Sequence, residues 1–314
     1  MAKRVAVLIP CFNEEQTVGK VIQDFRASLP GAAIYVFDNA STDGTAAAAR
    51  AAGAEVFHEK KRGKGNVVLT MFEQVDADYY IIVDGDDTYP AERAKDLLEP
   101  LRAGQADMVV GTRLDSSGSG LFRRFHRLGN ALVRKMINRL FHSGIRDVMS
   151  GYRAFSRDFV RTIPLVSSGF EIETELTVQA LDKGFVVQEL PVEYRARPEG
   201  SYSKLRTFED GWLVLWTIVR LFKDFRPLAF CSTIAAILFV CGLIPGLVVV
   251  VEYFQTHWVY RVPSAIFAVG SILLSFLFFM SGLVLDTINA RFRETWHLTK
   301  RMAVADLQSR RHVA

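Results

Sequence analysis

Asp84 and Asp86, two aspartates separated by one glycine, are the residues of this chain best suited to bind a metal ion. They follow Tyr79–Val83, an apolar run that is typical of a buried strand. Two carboxylates at a strand end can share a hard divalent cation, and Mg²⁺ accepts one or two protein carboxylates while substrate phosphates complete its coordination. The pattern therefore predicts a Mg²⁺ or Mn²⁺ site that neutralises the charge of a departing nucleotide diphosphate. An ordinary acidic turn is the alternative that the pair alone leaves open.

A basic loop with two glycines, residues 60–65, lies upstream of this pair and opens a predicted helix, Gly65–Val75. Glycine lets the backbone approach a ligand closely, and the amides at a helix start favour anions. Lysine and arginine suit a diphosphate, so the loop predicts a diphosphate site that includes Lys64. A solvated basic loop is the alternative that these residues alone leave open.

Apolar runs and helical patterns alternate along the first two hundred residues, and this alternation determines where the polar residues lie. The predicted strands are Val5–Ile9, Ala33–Phe37, Glu55–His58, Tyr79–Val83 and Asp107–Val110. The first predicted helix covers Glu14–Ser28. The alternation predicts an α/β fold with a mostly parallel sheet and helices on both faces. Ligands of such sheets bind beyond the carboxyl ends of the strands, where most of the polar clusters fall.

Two uncharged apolar stretches, Leu228–Val251 and Val262–Leu285, follow the predicted α/β region. At about 1.5 Å per helical residue, each is long enough to cross a hydrocarbon core of about 30 Å. Lysine and arginine residues flank the pair on both outer sides, whereas the connecting loop, residues 252–261, holds a single arginine. The positive-inside rule then predicts a membrane hairpin with both long ends in the cytoplasm. A buried helix pair in a large soluble protein is the alternative.

Cysteine content and charge placement exclude two classes of protein. The 314 residues include three cysteines, and Cys231 and Cys241 lie too far apart on one predicted helix to bridge, so no disulfide framework exists. This usage suits a catalytic region in a reducing compartment. The formal net charge is +4, and the cations flank apolar stretches or alternate with acids, so nothing predicts nucleic-acid binding.

Seven short polar blocks follow one another between Val5 and Leu205. They are Ile9–Glu15, Asp38–Thr45, Arg62–Asn66, Asp84–Asp86, Gly111–Arg113, Asp147–Arg153 and Gly200–Leu205. In this order they resemble the family 2 glycosyltransferases of the GT-A fold. Within that family the chain is most similar to the polyprenyl-phosphate glycosyltransferases, namely the dolichyl-phosphate mannose synthases and the bacterial undecaprenyl-phosphate glucosyltransferases. The two apolar stretches resemble the membrane hairpin of the bacterial branch.

The resemblance implies a site for a nucleotide sugar. Its implied residues are Pro10, Phe12 and Glu14 around the base and ribose, Asp38 on the base or ribose, and Lys64, Asp84, Gly85 and Asp86 at the diphosphate and metal. The residue types are reasonable, because an aromatic ring can stack on a base and carboxylates accept hydrogen bonds from base N–H groups and ribose hydroxyls. A polar loop and an ordinary turn are the alternative for the first four.

The resemblance also implies a site for the phosphate of a lipid acceptor, formed by Arg113 and Lys204. The family usually has an arginine six residues before that lysine, where this chain has Pro198. The nearest candidates are Arg197 and Arg195, and a one-residue shift would place Arg197 equivalently. The dolichol branch carries glutamine where this chain has Thr88, which argues against a close relation to the mannose synthases.

Asp147 matches the acidic residue that inverting family 2 enzymes use as a catalytic base, and with Asp86 it is the predicted catalytic pair. A phosphate monoester has a second pKa of about 6 and is largely dianionic at neutral pH, so a strong base is hardly needed. We therefore expect Asp147 to orient the acceptor. Tyr152 and Arg153 support the same site or are structural, and both readings stay open. Acidic residues at 171–175 suit the start of a helix.

The sequence divides into four regions. They are a GT-A catalytic domain at 1–200, an amphipathic juxtamembrane segment at 201–226, two transmembrane helices within 227–290 (about 228–251 and 262–288) and a basic cytoplasmic tail at 291–314. An amphipathic helix is also predicted at Leu121–Phe141, which either lies in the membrane interface or packs against the sheet.

The resemblance implies an inverting, metal-dependent transferase that moves a sugar from a nucleotide diphosphate to undecaprenyl phosphate at the cytoplasmic face of the cell membrane. UDP-glucose or a related UDP-sugar is the favoured donor. The expected partners are the nucleotide sugar, polyprenyl phosphate, the bilayer and further copies of the chain. Three alternatives stay open: a mannose synthase that uses GDP-mannose, a transferase that acts on a lipid hydroxyl, and a non-catalytic membrane scaffold that binds nucleotide sugars.

Overall fold

The computed structural model describes residues 4–113, 121–165, 169, 171–195, 219–220 and 222–313, with the backbone alone at 121–130, 297 and 300–313. The chain divides into two compact units, Met1–Val214 and Leu215–Ala314. The first unit contains the sheet and the second contains two long helices.

The first unit is built on a mixed seven-stranded sheet. Its strands are β1 (Val5–Cys11), β2 (Ala33–Asp38), β3 (Glu55–His58), β4 (Tyr79–Ile82), β5 (Met108–Arg113), β6 (Arg153–Ser156) and β7 (Val187–Val192). The spatial order is β3-β2-β1-β4-β6-β5-β7, and β6 runs antiparallel to both of its neighbours while the other pairs are parallel. The predicted mostly parallel sheet is confirmed.

The helices of this unit connect the strands. They are α1 (Val18–Ser28), α2 (Thr45–Ala51), α3 (Lys64–Gln74), α4 (Ala94–Arg102, after a 3₁₀ turn at Ala91–Arg93), α5 (Leu121–Phe141), α6 (Arg157–Thr162) and α7 (Ile172–Asp182). The prediction that the first helix begins at Glu14 was wrong by four residues. Residues 15–17 form a turn, and the Thr17 hydroxyl donates to the Gly85 carbonyl at 2.6 Å, which ties this turn to the loop after β4.

The core occupies both faces of the sheet because successive residues of a strand point to opposite sides. Val7 and Ile9 of β1 are fully buried and lie in one core cluster with Ile22 of α1. On the other face, the ring of Phe72 from α3 lies 6.4 Å from Tyr80 and 5.7 Å from Phe155. Central strands that are buried on both faces read as continuous apolar runs, which is why β1 and β4 are visible in the sequence.

The described side chains of α5 favour packing over membrane contact. Val133 and Ile137 are fully buried, whereas Leu132 is 47% exposed. A helix that lay in the membrane interface would present Ile137 to lipid. The carboxyl half of α5 therefore packs within the first unit.

The second unit consists of α8 (Pro227–Thr256) and α9 (Val262–Val313). Two segments of these helices, Pro227–Thr256 and Val262–Trp296, are long and apolar enough to cross a membrane. The two helices pack closely where small residues meet, since a Cβ on Gly242 would lie 2.9 Å from the Ala268 carbonyl oxygen. The Ser275 hydroxyl donates to the Ala235 carbonyl at 2.8 Å and adds a polar link between them. Both predicted apolar stretches are thus helical, and α9 continues through the predicted tail.

Candidate active site

The carboxyl edge of the sheet gathers the predicted site residues. Cys11, the last residue of β1, pairs with Asp38, the last residue of β2, and β4 ends just before Asp84. Strands β4 and β5 both run antiparallel to β6, so β5 ends at the same edge, at Arg113. Side chains from four strands therefore converge where α/β sheets bind ligands.

Asp86 is the more buried of the two predicted metal ligands, with 3% of the residue exposed. Its Oδ1 accepts hydrogen bonds from the Thr88 hydroxyl at 2.6 Å and from the Thr88 amide at 3.3 Å. Thr88 therefore orients this carboxylate. Asp84 is more accessible, with a side chain that is 28% exposed.

Lys64 lies between two carboxylates. Its Nζ is 2.6 Å from Asp84 Oδ1 and 2.5 Å from Glu173 Oε1 on α7. Burial alone would lower the pKa of Lys64, but the charges of Asp84 and Glu173 outweigh burial and raise it above the ordinary lysine value. The lysine is therefore a permanent cation. Glu173 is a site residue that the sequence reasoning missed, because an acidic residue in a first helical turn is explained equally well by the helix dipole.

The carboxylate pair suits a divalent ion whose remaining ligands come from a substrate. Among the residues that the structure describes, no three histidine, cysteine or acidic side chains form a metal cluster. Mg²⁺ and similar ions need only one or two protein carboxylates when phosphates and waters supply the rest. The donor chemistry of Asp84 and Asp86 fits that mode.

Asp38 is held by a defined network at the end of β2. Its Oδ2 lies 3.1 Å from His58 Nδ1, and its Oδ1 accepts from the Ser41 amide at 3.3 Å. Arg50 donates to His58 Nε2 at 2.7 Å. Since arginine only donates, Nε2 of His58 accepts and its Nδ1 carries the proton toward Asp38. These contacts fix the orientation of the Asp38 carboxylate, and the residue is only 5% exposed.

The end of β1, the loop after it and the loop after β4 supply the other predicted donor-site residues. Pro10 and Phe12 are half-buried, and the guanidinium of Arg62 lies 5.3 Å from the centre of the Phe12 ring. The Glu14 amide donates to the Thr45 hydroxyl at 2.8 Å. Gly85 is required by close packing, because a Cβ there would lie 2.7 Å from the Cys11 sulfur.

The basic loop is anchored by Asn39. The Asn39 side chain donates to the Lys61 carbonyl at 2.7 Å and to the Glu59 carbonyl at 3.2 Å, and it accepts from the Gly63 amide at 2.8 Å. Gly63 has a φ of +124°, a conformation that glycine adopts readily. Asn39 therefore fixes the backbone of this loop, while the side chains of Lys60, Lys61 and Arg62 are exposed.

Arg113 and Asp147 form a bidentate ion pair. Nε and Nη2 of the arginine donate to the two carboxylate oxygens at 2.8 and 2.9 Å. Burial opposes ionisation of Asp147, but the hydrogen bonds and charge of Arg113 outweigh it, so the pKa of this carboxyl lies below its ordinary value. A carboxylate with a lowered pKa is a weak base, which agrees with an orienting role.

The loop Asp147–Arg153, whose last residue begins β6, connects the Arg113 pair with Asp84. At its start, the carboxylate of Glu189 accepts from the Asp147 amide at 2.9 Å. At its centre, Gly151 lies directly against the Asp84 carboxylate, and a side chain there would collide with it. The Gly151 amide donates to the Tyr89 hydroxyl at 3.1 Å. Asp84, a candidate metal ligand, and the Arg113–Asp147 ion pair are therefore linked by this one loop.

Arg153 holds this loop from inside the protein. It is 1% exposed and donates to the carbonyls of Val148 at 2.6 Å and Ser150 at 2.8 Å, and to the Thr177 hydroxyl at 2.9 Å. Tyr152 is fully buried, with its ring 6.1 Å from Phe25. Arg153 thus positions the site from within, and Tyr152 belongs to the core.

Replacing Arg153 by methionine is expected to lower the free energy of unfolding by about 3 kcal/mol, because three buried acceptors lose their donor. Any catalytic activity of the site should fall with it, as the loop that carries Asp147 and Gly151 loses its support. Thermal unfolding and activity assays measure both effects. The control is Arg161→Met, which removes a partly exposed arginine paired with Asp76 and should change the unfolding free energy by less than about 1 kcal/mol. Equal destabilisation by both variants would contradict this role.

Two predicted acceptor-site residues, Arg197 and Lys204, lie outside the described residues. The remaining predicted residues all lie at the carboxyl edge or directly beneath it. Glu173 and Glu189 join them, and only the fold reveals these two because α7 and β7 bring them to the site from distant sequence.

Several known proteins are similar to this chain in sequence or in fold. Residues 6–163 match the family described as Glycosyl transferase family 2. The chain is 34% identical over 295 residues to glycosyltransferase AglJ of Haloferax volcanii, a match that covers 92% of this chain and 95% of the relative. It is 29% identical over 222 residues to a dolichyl-phosphate hexose transferase of the same organism, covering 71% of this chain and 95% of that one.

A solved structure agrees with the fold. Glucosyl-3-phosphoglycerate synthase from Mycobacterium tuberculosis, in complex with Mn²⁺, UDP and glucosyl-3-phosphoglycerate, superposes with a TM-score of 0.59 at 22% identity. The match covers 71% of this chain and 80% of that chain. The sheet described above is therefore GT-A-like.

Proposed function

The chain belongs to glycosyltransferase family 2, and from that premise we propose that it transfers a sugar from a nucleotide-diphosphate sugar to polyprenyl phosphate. The named activity of the dolichyl-phosphate hexose transferase supports this acceptor. The observation that carries the proposal is the loop Asp147–Arg153, which joins a carboxylate pair suited to a metal and diphosphate with an arginine suited to a phosphate. A donor and an anionic acceptor can thus be held by one assembly.

The donor subsite is assigned to the residues that the sequence predicts. Asp38, Pro10, Phe12 and Glu14 bind the nucleoside, and Lys64 faces the diphosphate. Asp84 and Asp86 would hold a Mg²⁺ or Mn²⁺ ion, which as a Lewis acid supplies neutralisation of the leaving group. UDP-glucose or a related UDP-sugar is the donor that we propose, and the UDP and Mn²⁺ bound by the mycobacterial synthase support that choice.

The chemical step is a single in-line displacement. An oxygen of the acceptor phosphate attacks the anomeric carbon, the bond from that carbon to the diphosphate breaks, and the nucleotide diphosphate leaves with the electron pair. The configuration at the anomeric carbon is inverted. The acceptor is already largely dianionic at neutral pH, so Asp147 acts by orienting it through Arg113. Alignment and charge stabilisation provide most of the acceleration.

The membrane arrangement is also part of this proposal. The helices α8 and α9 anchor the chain in the bilayer that contains the polyprenyl phosphate, and the cationic flanks place the catalytic region and both chain ends in the cytoplasm. Arg197 and Lys204 complete the acceptor site, and the chain forms a homo-oligomer. The domain boundaries are those predicted from the sequence.

The test is a reconstituted transfer reaction. The purified full-length protein is incubated with undecaprenyl phosphate, Mg²⁺ and a panel of UDP- and GDP-sugars, and the lipid products are weighed by mass spectrometry. We expect a undecaprenyl-phosphate hexose from a UDP-sugar. If GDP-mannose were the only donor to give product, the proposed UDP-sugar donor would be wrong and the enzyme would be a mannose synthase. Product from diacylglycerol or undecaprenol but not from the phosphate would refute the acceptor, and binding without any product would favour a scaffold.

A further inference from the structure

The ammonium of Lys64 forms an ion pair with Asp84, one of the two carboxylates proposed to bind the metal. Nζ lies 2.6 Å from Oδ1 of Asp84, and the two side chains are 13% and 28% exposed. Opposite charges in such a shielded environment attract more strongly than on the open surface. Lys64 is therefore the cation that neutralises Asp84 in this structure.

Lys64 also forms an ion pair with a second carboxylate, that of Glu173. Oε1 of Glu173 lies 2.5 Å from Nζ, and the Glu173 side chain is only 10% exposed. The arrangement is fixed by the backbone, because the Gly65 amide at the start of α3 donates to the Gly169 carbonyl, close before α7, at 3.1 Å. The two helix starts that carry Lys64 and Glu173 are thus held together.

A divalent ion and an ammonium cannot both contact one carboxylate oxygen without strong repulsion. For Asp84 to bind a metal through Oδ1, Lys64 must move away from it. An isolated buried ammonium would be costly, but Glu173 continues to neutralise the lysine after this movement. The lysine then stays beside the diphosphate that arrives with the metal.

We propose that Lys64 is an internal counter-ion that keeps divalent cations off Asp84 until a donor arrives, and that Glu173 is the positioning residue that retains the displaced lysine in the site. The proposal rests on the proposed function in that it assigns Asp84 to a metal–diphosphate donor. It adds that the protein binds the metal weakly without a donor and that donor and metal bind together.

The first test measures Mn²⁺ binding to the full-length protein without any nucleotide, by electron paramagnetic resonance. Lys64→Met is expected to lower the Mn²⁺ dissociation constant about tenfold relative to the unsubstituted protein, because the competing cation is gone. The double variant Lys64→Met/Glu173→Gln should show the same decrease in the Mn²⁺ dissociation constant. It leaves fewer unpaired charges, so it replaces the single variant if that variant does not fold. Unchanged or weaker Mn²⁺ binding in a folded variant overturns the proposal.

The second test concerns Glu173 and measures UDP binding in the presence of Mn²⁺. Glu173→Gln is expected to raise the dissociation constant about tenfold, because the displaced lysine loses its acceptor charge. Glu173→Asp should restore part of the affinity. Glu171→Gln, which removes a carboxylate at the same helix start, is the matched control for the helix dipole and should stay within about twofold. Equal effects of Glu173→Gln and Glu171→Gln overturn the role of Glu173.

These tests are independent of sugar transfer. The expected Mn²⁺ changes in a protein that transfers no sugar to any acceptor would refute the proposed function and leave the inference standing. Transfer to polyprenyl phosphate with unaltered Mn²⁺ binding in the variants would refute the inference alone.

Discussion

Replacing Asp86 by asparagine is expected to reduce sugar transfer about a thousandfold, since a charged ligand of the metal–diphosphate site is lost at the leaving group. The substitution preserves the shape of the side chain and the Oδ1 acceptor that Thr88 contacts at 2.6 Å. The fold should therefore survive, and the loss should appear in kcat/KM for the nucleotide sugar. Steady-state release of nucleotide diphosphate with undecaprenyl phosphate as acceptor measures it.

The neighbouring residue provides a matched control. Asp87 pairs with Lys20 at 2.8 Å; the Lys20 side chain is 54% exposed and the Asp87 side chain is 13% exposed. The charged partner of Asp87 is thus a surface lysine and not a residue assigned to the donor site. Asp87→Asn removes one carboxylate from the same loop and should leave transfer within about threefold. If Asp86→Asn retained transfer comparable to that of Asp87→Asn, the assignment of Asp86 to the donor site would be wrong.

The position of the site could be predicted because it follows from where the strands end in the sequence. Polar residues directly after apolar runs lie at the carboxyl edge of a parallel sheet, and this places Asp38, Asp84 and Arg113 without any knowledge of side-chain packing. The partners of these residues could not be predicted in the same way. Glu173 reaches Lys64 only through the packing of α7 against the start of α3, and no spacing in the sequence encodes that contact.

The missing parts of the predicted fold have a similar cause. Strand β6 has only four residues and begins with the charged Arg153, so it shows no long apolar run. It is also antiparallel, so it does not continue the alternation of strands and helices that predicts the parallel strands. Strand β7 contains Pro191, which usually marks an edge strand or none. It does lie at the edge of the sheet, next to β5. Arg153 shows the same limit for single residues, because only burial reveals that it supports the loop from within.

The Arg113–Asp147 pair leaves donors of the arginine for an acceptor phosphate. In the structure both carboxylate oxygens of Asp147 hold the guanidinium, and the ring of Tyr194 lies 5.7 Å from its centre. Arginine has five donors, so a phosphate can bind the free ones while Asp147 keeps the side chain aligned. The arginine should therefore contribute mainly to acceptor affinity.

Arg113→Gln is expected to raise KM for undecaprenyl phosphate about a hundredfold, because a shielded, charge-assisted contact with the phosphate is lost. Hydrolysis of the nucleotide sugar in the absence of acceptor should change by less than about threefold, since it needs no acceptor contact. The substitution also leaves Asp147 without its partner, so Arg113→Gln/Asp147→Asn should recover stability but not acceptor affinity. Arg93→Gln, which removes a surface arginine paired with Asp96, is the control. An unchanged KM in Arg113→Gln would mean that the acceptor presents no phosphate to this residue, and a neutral lipid hydroxyl would then be the better substrate class.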